Sequence, residues 1–186
     1  MKSQQKKRPH TLKFEAKKMK SQQRQPYGAY GSLWDGVSSV VGKVVLAVGE
    51  GGKSCPLTWG SNKMDRIVRS PLAAETVAHA DAADEGMFCK ALLEEVLGIE
   101  ESGLDLVVVS DSKSLCEALS TTGNIKDRRC RIDMAALRQG IEKGDYTMAW
   151  QSGTEMLADS LTKKGANPHG LRQVIEEGEG ELVFVR

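Results

Sequence analysis

From Val37 onward the chain alternates between short apolar runs and longer stretches whose apolar residues recur every three or four positions. Val40 to Val48 is rich in β-branched residues and reads as a strand. Gly49 to Gly52 supplies turn chemistry, and Cys55 to Trp59 reads as the hairpin partner. A first strand of this meander is expected before Trp34, near Tyr27 to Leu33, although two glycines make that stretch a poor strand. Ser70-Pro71 predicts a helix start, with a Ser cap and Pro at the first helical position. The helix runs to about Leu97 and stops at Gly98. Its inner face is expected at Val77 and Ala80, then at Phe88, Ala91, Leu92 and Val96. Leu104 to Val109 is a continuous apolar run, as in a strand buried on both faces. A short helix to about Leu119 follows, then a helix over Arg131 to Lys143 with Met134, Leu137 and Ile141 on one face. Tyr146 to Trp150 reads as a strand and Thr154 to Lys164 as a helix. The tail adds a short helix at Leu171 to Glu177 and a strand at Leu182 to Val185. Three antiparallel strands followed by strands separated by helices predict an α/β domain with a mixed sheet.

Composition changes this picture at the N-terminus. Residues 1–25 hold seven Lys and two Arg against one Glu, a charge of +8, while the remaining 161 residues carry −7. Met1-Lys2-Ser3-Gln4-Gln5-Lys6 recurs as Met19-Lys20-Ser21-Gln22-Gln23-Arg24. The segment is poor in apolar residues, so it is expected to be a disordered basic arm, with nucleic acid as a candidate partner. The division is then an arm at 1–25, a domain at 26–165 and an extension at 166–186. No run of 18 apolar residues is present, so no membrane partner is expected. Four scattered cysteines without a C-x-x-C pair read as free thiols in a reducing compartment, which points to the cytoplasm.

The candidate chemistry lies in three acids. Glu75 falls in the second turn of the long helix, Asp111 just past the buried strand, and Asp159 on the last helix of the core. Sites of open α/β sheets form at the carboxyl ends of strands, and converging carboxylates suit magnesium. Each acid also has an ordinary structural use: Glu75 near a helix N-terminus, Asp111 as a helix cap, Asp159 as a partner for Lys163. His79, four residues after Glu75, is more simply a packed or solvated histidine, and Trp34, Trp59 and Trp150 are more simply core anchors. No phosphate-cradling glycine motif is present.

The residues around the acids carry a resemblance. Trp59-Gly-Ser-Asn-Lys63 with Ser70-Pro-Leu-Ala-Ala-Glu75, then Ser110-Asp111-Ser-Lys-Ser-Leu115, Arg129-Cys-Arg-Ile-Asp133 and Leu157-Ala-Asp-Ser-Leu-Thr-Lys163 resemble, in order, four blocks of the ribonuclease H domain of copia-type LTR retrotransposon Pol polyproteins. The resemblance covers about residues 27–165. It implies a ribonuclease H-like five-stranded mixed sheet flanked by helices. It implies a nuclease that hydrolyses the RNA strand of an RNA–DNA hybrid with two Mg2+ ions, and Glu75, Asp111 and Asp159 as catalytic metal ligands. The family's fourth acid is an Asp on the first strand. Counting back from Gly31-Ser-Leu-Trp-Asp-Gly36 puts Tyr27 there, and a phenol is a poor substitute ligand. The resemblance therefore implies a degenerate or truncated copy with impaired cleavage, or else a non-catalytic nucleic-acid-binding relic.

Overall fold

The computed structural model describes residues 11–19, 40–49, 53–64, 68, 70–99, 103–121, 128, 130–162 and 167–178. Its strands are β1 (Thr11–Met19), β2 (Val40–Val48), β3 (Ser54–Lys63), β4 (Asp105–Ser110) and β5 (Thr147–Trp150). Its helices are α1 (Pro71–Leu97), α2 (Lys113–Ser120), α3 (Cys130–Lys143), α4 (Asp159–Thr162) and α5 (His169–Glu177). The fold is mixed α/β, with strand order β3-β2-β1-β4-β5. β1 is antiparallel to β2 and parallel to β4, and β4 is parallel to β5.

The first correction concerns the N-terminal segment. Residues 11–19 are a strand in the middle of the sheet rather than part of a disordered arm. The reason is an alternation that composition averaged away: Leu12, Phe14 and Ala16 alternate with Lys13, Glu15 and Lys17. The register sets the apolar three opposite Ala47, Val45 and Lys43 of β2. The strand carries +2 of the charge assigned to the arm. Tyr27 to Leu33, expected as the first strand, lies outside the described residues, as does Leu182 to Val185.

Side chains of β2 alternate between two layers. Val45 joins Leu106 and Val108 of β4 under α1 and α3, against Ala82, Ala83, Leu137 and Tyr146. Val44, Leu46 and Val48 pack on the other face against Ala158, Leu171 and Val174. Gly42 lets α4 approach closely: a Cβ there would meet Thr162 Cγ2 at 2.5 Å and the Ala158 carbonyl O at 2.8 Å. On the opposite layer Gly140 leaves room for the Tyr146 ring, whose hydroxyl donates to the Leu137 carbonyl at 3.0 Å. Burial pushes the Tyr146 pKa up to about 12.

α1 starts as its sequence predicts. Ser70 Oγ accepts from the Ala73 amide at 3.1 Å, and Gly98, at φ 62°, closes the helix. Its inner face differs from expectation beyond the third turn. The buried row runs through Ala73, Ala74, Val77, Ala78, Ala82, Ala83 and Gly86 and ends on Glu94. Phe88, Leu92 and Val96 are 67%, 48% and 71% exposed. A row of small residues lets α1 lie close to the sheet, which fixes the helix rotation and leaves the bulky stripe outside. Glu94 is tolerated inside because its Oε1 accepts from the Leu104 amide at 3.0 Å.

α4 is shorter than the helix expected over Thr154 to Lys164. Residues from Ser152 to Ala158 make successive tight turns instead, with Glu155 N bonded to Ser152 O and Asp159 N to Met156 O. The Ser152 and Thr154 hydroxyls bond each other at 2.9 Å, a local alternative to helical pairing. Trp59 is also not a core anchor: it stands 47% exposed on β3, an edge strand.

Candidate functional site

β1, β3, β4 and β5 point the same way, so one end of the sheet collects their carboxyl termini. α1 begins there after β3, Asp111 follows β4, and α4 follows β5. Chain direction alone thus brings Glu75, Asp111 and Asp159 to the same end of the sheet. They come from two layers. Glu75 belongs to the α1 layer, and Asp159 opens α4 on the opposite layer, where Ala158 packs against Val44 and Leu46.

Asp111 sits in a well-tied turn. The Gln151 amide donates to the Ser110 carbonyl at 2.9 Å, joining β5 to the end of β4. The Ser112 amide donates to Ser110 Oγ at 3.1 Å, and Trp150 Nε1–H donates to the Asp111 carbonyl at 3.2 Å. Lys113 Nζ lies 4.7 Å from the centre of the Trp150 ring, within cation–π range. The cap of α2 is Ser112, whose Oγ accepts from the Leu115 amide at 3.3 Å. Capping therefore does not account for Asp111.

Between Glu75 and Asp111 lies His79, which is fully buried. Its Nδ1 is 2.7 Å from the Glu75 carbonyl O and 3.9 Å from Glu75 Oε2. Desolvation lowers the His79 pKa, opposed by the Glu75 and Val109 carbonyls and by the charge of Asp111. The ring is thus neutral near pH 7, and its Nδ1–H donates to the Glu75 carbonyl. His79 is the packed histidine that sequence reasoning favoured, and it wedges α1 against the end of β4. Glu75 Oε2 and Asp159 Oδ1 are both shielded from solvent.

Glu75, His79 and Asp111 therefore share one corner, and Asp159 occupies the same sheet end on the other layer. Among the described residues, no group of three or more His, Cys, Asp and Glu side chains is arranged to hold a metal ion. Lys163, weighed as a partner for Asp159, lies outside the described residues.

Tyr27, counted to the position of the missing Asp, lies outside the described residues, and the strand next to β4 is Thr11–Met19. The one acid of β1 is Glu15, paired with Val44 on one side and Val109 on the other. The ladder with β4 ends at Glu15 and Val109, and Lys17, two residues further on, pairs with Gly42 of β2. Sequence reasoning missed both residues, and the alternation around Leu12, Phe14 and Ala16 was the signal available for finding them.

No protein-family model matches the chain, and no curated protein matches it. Solved structures do. A ribonuclease H1 from the archaeon Halobacterium salinarum is 15% identical with a TM-score of 0.50, over 81% of this chain and 93% of that one. The N-terminal ribonuclease H domain of a Mycobacterium tuberculosis protein is 15% identical with a TM-score of 0.51, over 82% of this chain and 90% of that one. A ribonuclease H1 isolated from compost by metagenomics is 15% identical with a TM-score of 0.50, over 81% and 91%. With the mixed sheet and its two helical layers, these likenesses give the chain a ribonuclease H-like fold.

Proposed function

We propose that this chain is a ribonuclease H-like domain of copia-type retrotransposon origin that engages RNA–DNA hybrids and cleaves them weakly or not at all. The four ordered sequence blocks support the origin, and the mixed α/β, ribonuclease H-like fold supports the domain type. Hybrid is the substrate class that the resemblance implies.

The observation that carries the loss of cleavage is the composition of β1. Its carboxyl half reads Ala16-Lys17-Lys18-Met19, without an acid beyond Glu15, which pairs with Val109 two residues before Asp111. A cationic residue at the end of that strand disfavours a divalent cation and suits a phosphate. Magnesium is accordingly proposed to bind weakly. Loss of a central charged ligand costs about 3–5 kcal/mol of transition-state stabilisation, a factor of roughly 10²–10⁴ in rate.

The test pairs binding with cleavage on a labelled RNA–DNA hybrid. The chain as it stands is expected to bind hybrid in a salt-dependent manner and to leave it intact in magnesium. Lys17→Asp is expected to raise cleavage. Fast magnesium-dependent cleavage by the unmodified chain, abolished by Asp111→Asn, would overturn the reading; absence of salt-dependent binding would remove its other half.

A further inference from the structure

The outer face of α1 departs from an ordinary surface. Phe88, Leu92 and Val96 follow one another at spacings of four, and all three are at least 48% exposed, with Leu97 at 59%. Single exposed apolar residues are common, but a contiguous row on one helix marks a surface that is covered in use. The row has a charged frame. Asp84 precedes Phe88 by one turn, and Glu95 sits between Leu92 and Val96 on the same side of the helix; both are exposed. The nearest lysine of α1, Lys90, lies on the far side of the helix and is partly buried. The face is therefore apolar along its middle, with exposed acids at Asp84 and Glu95, while Glu85 on the same side is paired with Lys43 of β2.

We propose that this face docks a basic amphipathic helix of a partner protein. Such a helix offers apolar residues at i, i+4 and i+8 to the row, with Lys or Arg beside them to meet Asp84 and Glu95. Charge selects this occupant over a second copy of the chain. Paired parallel, each acid of the face would meet its own equivalent. Paired antiparallel about Leu92, Phe88 would meet Val96, but the second copy would bring only the acids Asp84 and Glu95, and no lysine, to the face. Like charges oppose both arrangements. An anionic lipid surface is disfavoured by the same acids. The proposal is independent of the hybrid-binding reading, because the row lies on the C-terminal half of α1, turns away from Glu75.

The test uses the full chain and two labelled synthetic helical peptides with the same leucines at i, i+4 and i+8. One carries lysines beside the leucines and the other glutamates. Fluorescence anisotropy is expected to show binding of the lysine peptide only. The double variant Leu92→Ser/Val96→Ser should weaken it by about tenfold or more. The variant Asp84→Lys/Glu95→Lys should reverse the preference toward the glutamate peptide. These positions are exposed, and unchanged thermal melts confirm that each variant folds. Equal binding of both peptides, binding indifferent to the serine variant, or no binding would overturn the proposal. So would sedimentation showing self-association that the serine variant abolishes, or stripe-dependent binding to phosphatidylserine vesicles.

Discussion

β1 and the C-terminal half of α1 reverse each other's composition. Three of the nine residues of β1 are lysine, yet it is the middle strand of the sheet. Phe88, Leu92 and Val96 are strongly apolar, yet they stand on the surface. What places β1 is pairing: its backbone groups are used on both sides, by β2 and by β4. What places the apolar row is room: alanine and glycine on the opposite side of α1 approach the sheet, and the large side chains have nowhere inside to go. Composition ranks the two segments in the wrong order. Backbone pairing and side-chain volume rank them correctly.

Removing β1 tests most directly whether pairing holds it in place. A chain beginning at Lys20 loses both ladders at once and is expected to show no cooperative thermal transition. A normal melt would return residues 11–19 to a dispensable arm.

The next effect probes the close-packed row of α1. Ala78 is 1% exposed, and Ala78→Leu inserts three carbons where the helix meets the sheet layer. The expected loss is about 1–3 kcal/mol in chemical denaturation. If Ala78→Leu is neutral, closeness of approach is not what sets the rotation of α1.

His79 gives a smaller effect that depends on pH. Its folded pKa lies below its unfolded value near 6.5, so the unfolded chain binds the extra proton first as pH falls. Its contribution is therefore fully present above pH 6.5 and is lost as pH falls toward the folded pKa. One proton limits the slope to about 1.4 kcal/mol per pH unit. His79→Gln is expected to flatten the stability profile of the chain between pH 6.5 and 5. An unchanged slope would assign the acid sensitivity to carboxylates.

Phe88→Ser on the exposed row should change stability by no more than about 0.5 kcal/mol. A larger loss would mean that the row is covered within the chain.

Downstream of Val40 the elements were legible because each apolar period is long enough to stand out: β2, α1, β4, α3 and α5 sit within a residue or two of expectation. β1 was not, because averaging over 25 residues hid a nine-residue alternation. The rotation of the second half of α1 was not, because hydrophobicity ranks Phe88 and Leu92 above Gly86 and Ala83, while close packing ranks them the other way. α4 was overextended because helical spacing near Leu157 and Leu161 takes no account of hydroxyls that close turns locally. At the candidate site, Glu75, Asp111 and Asp159 emerged from block order. Nothing in their individual surroundings separates them from a helix-end acid or a cap. Glu15 and Lys17 stayed hidden with β1.

The two outermost strands have a bearing on solubility. An edge strand presents unpaired backbone groups that invite another chain to add on. β5 offers only four residues, too few for a long ladder. β3 is ten residues long, but Pro56 lacks an amide to donate, and the register slips where Val45 gives way to Leu46, leaving Leu57 unpaired across from them. Both margins are thereby poor templates for fibrous growth, and the exposed Lys53 and Lys63 at the two ends of β3 add charge to that protection.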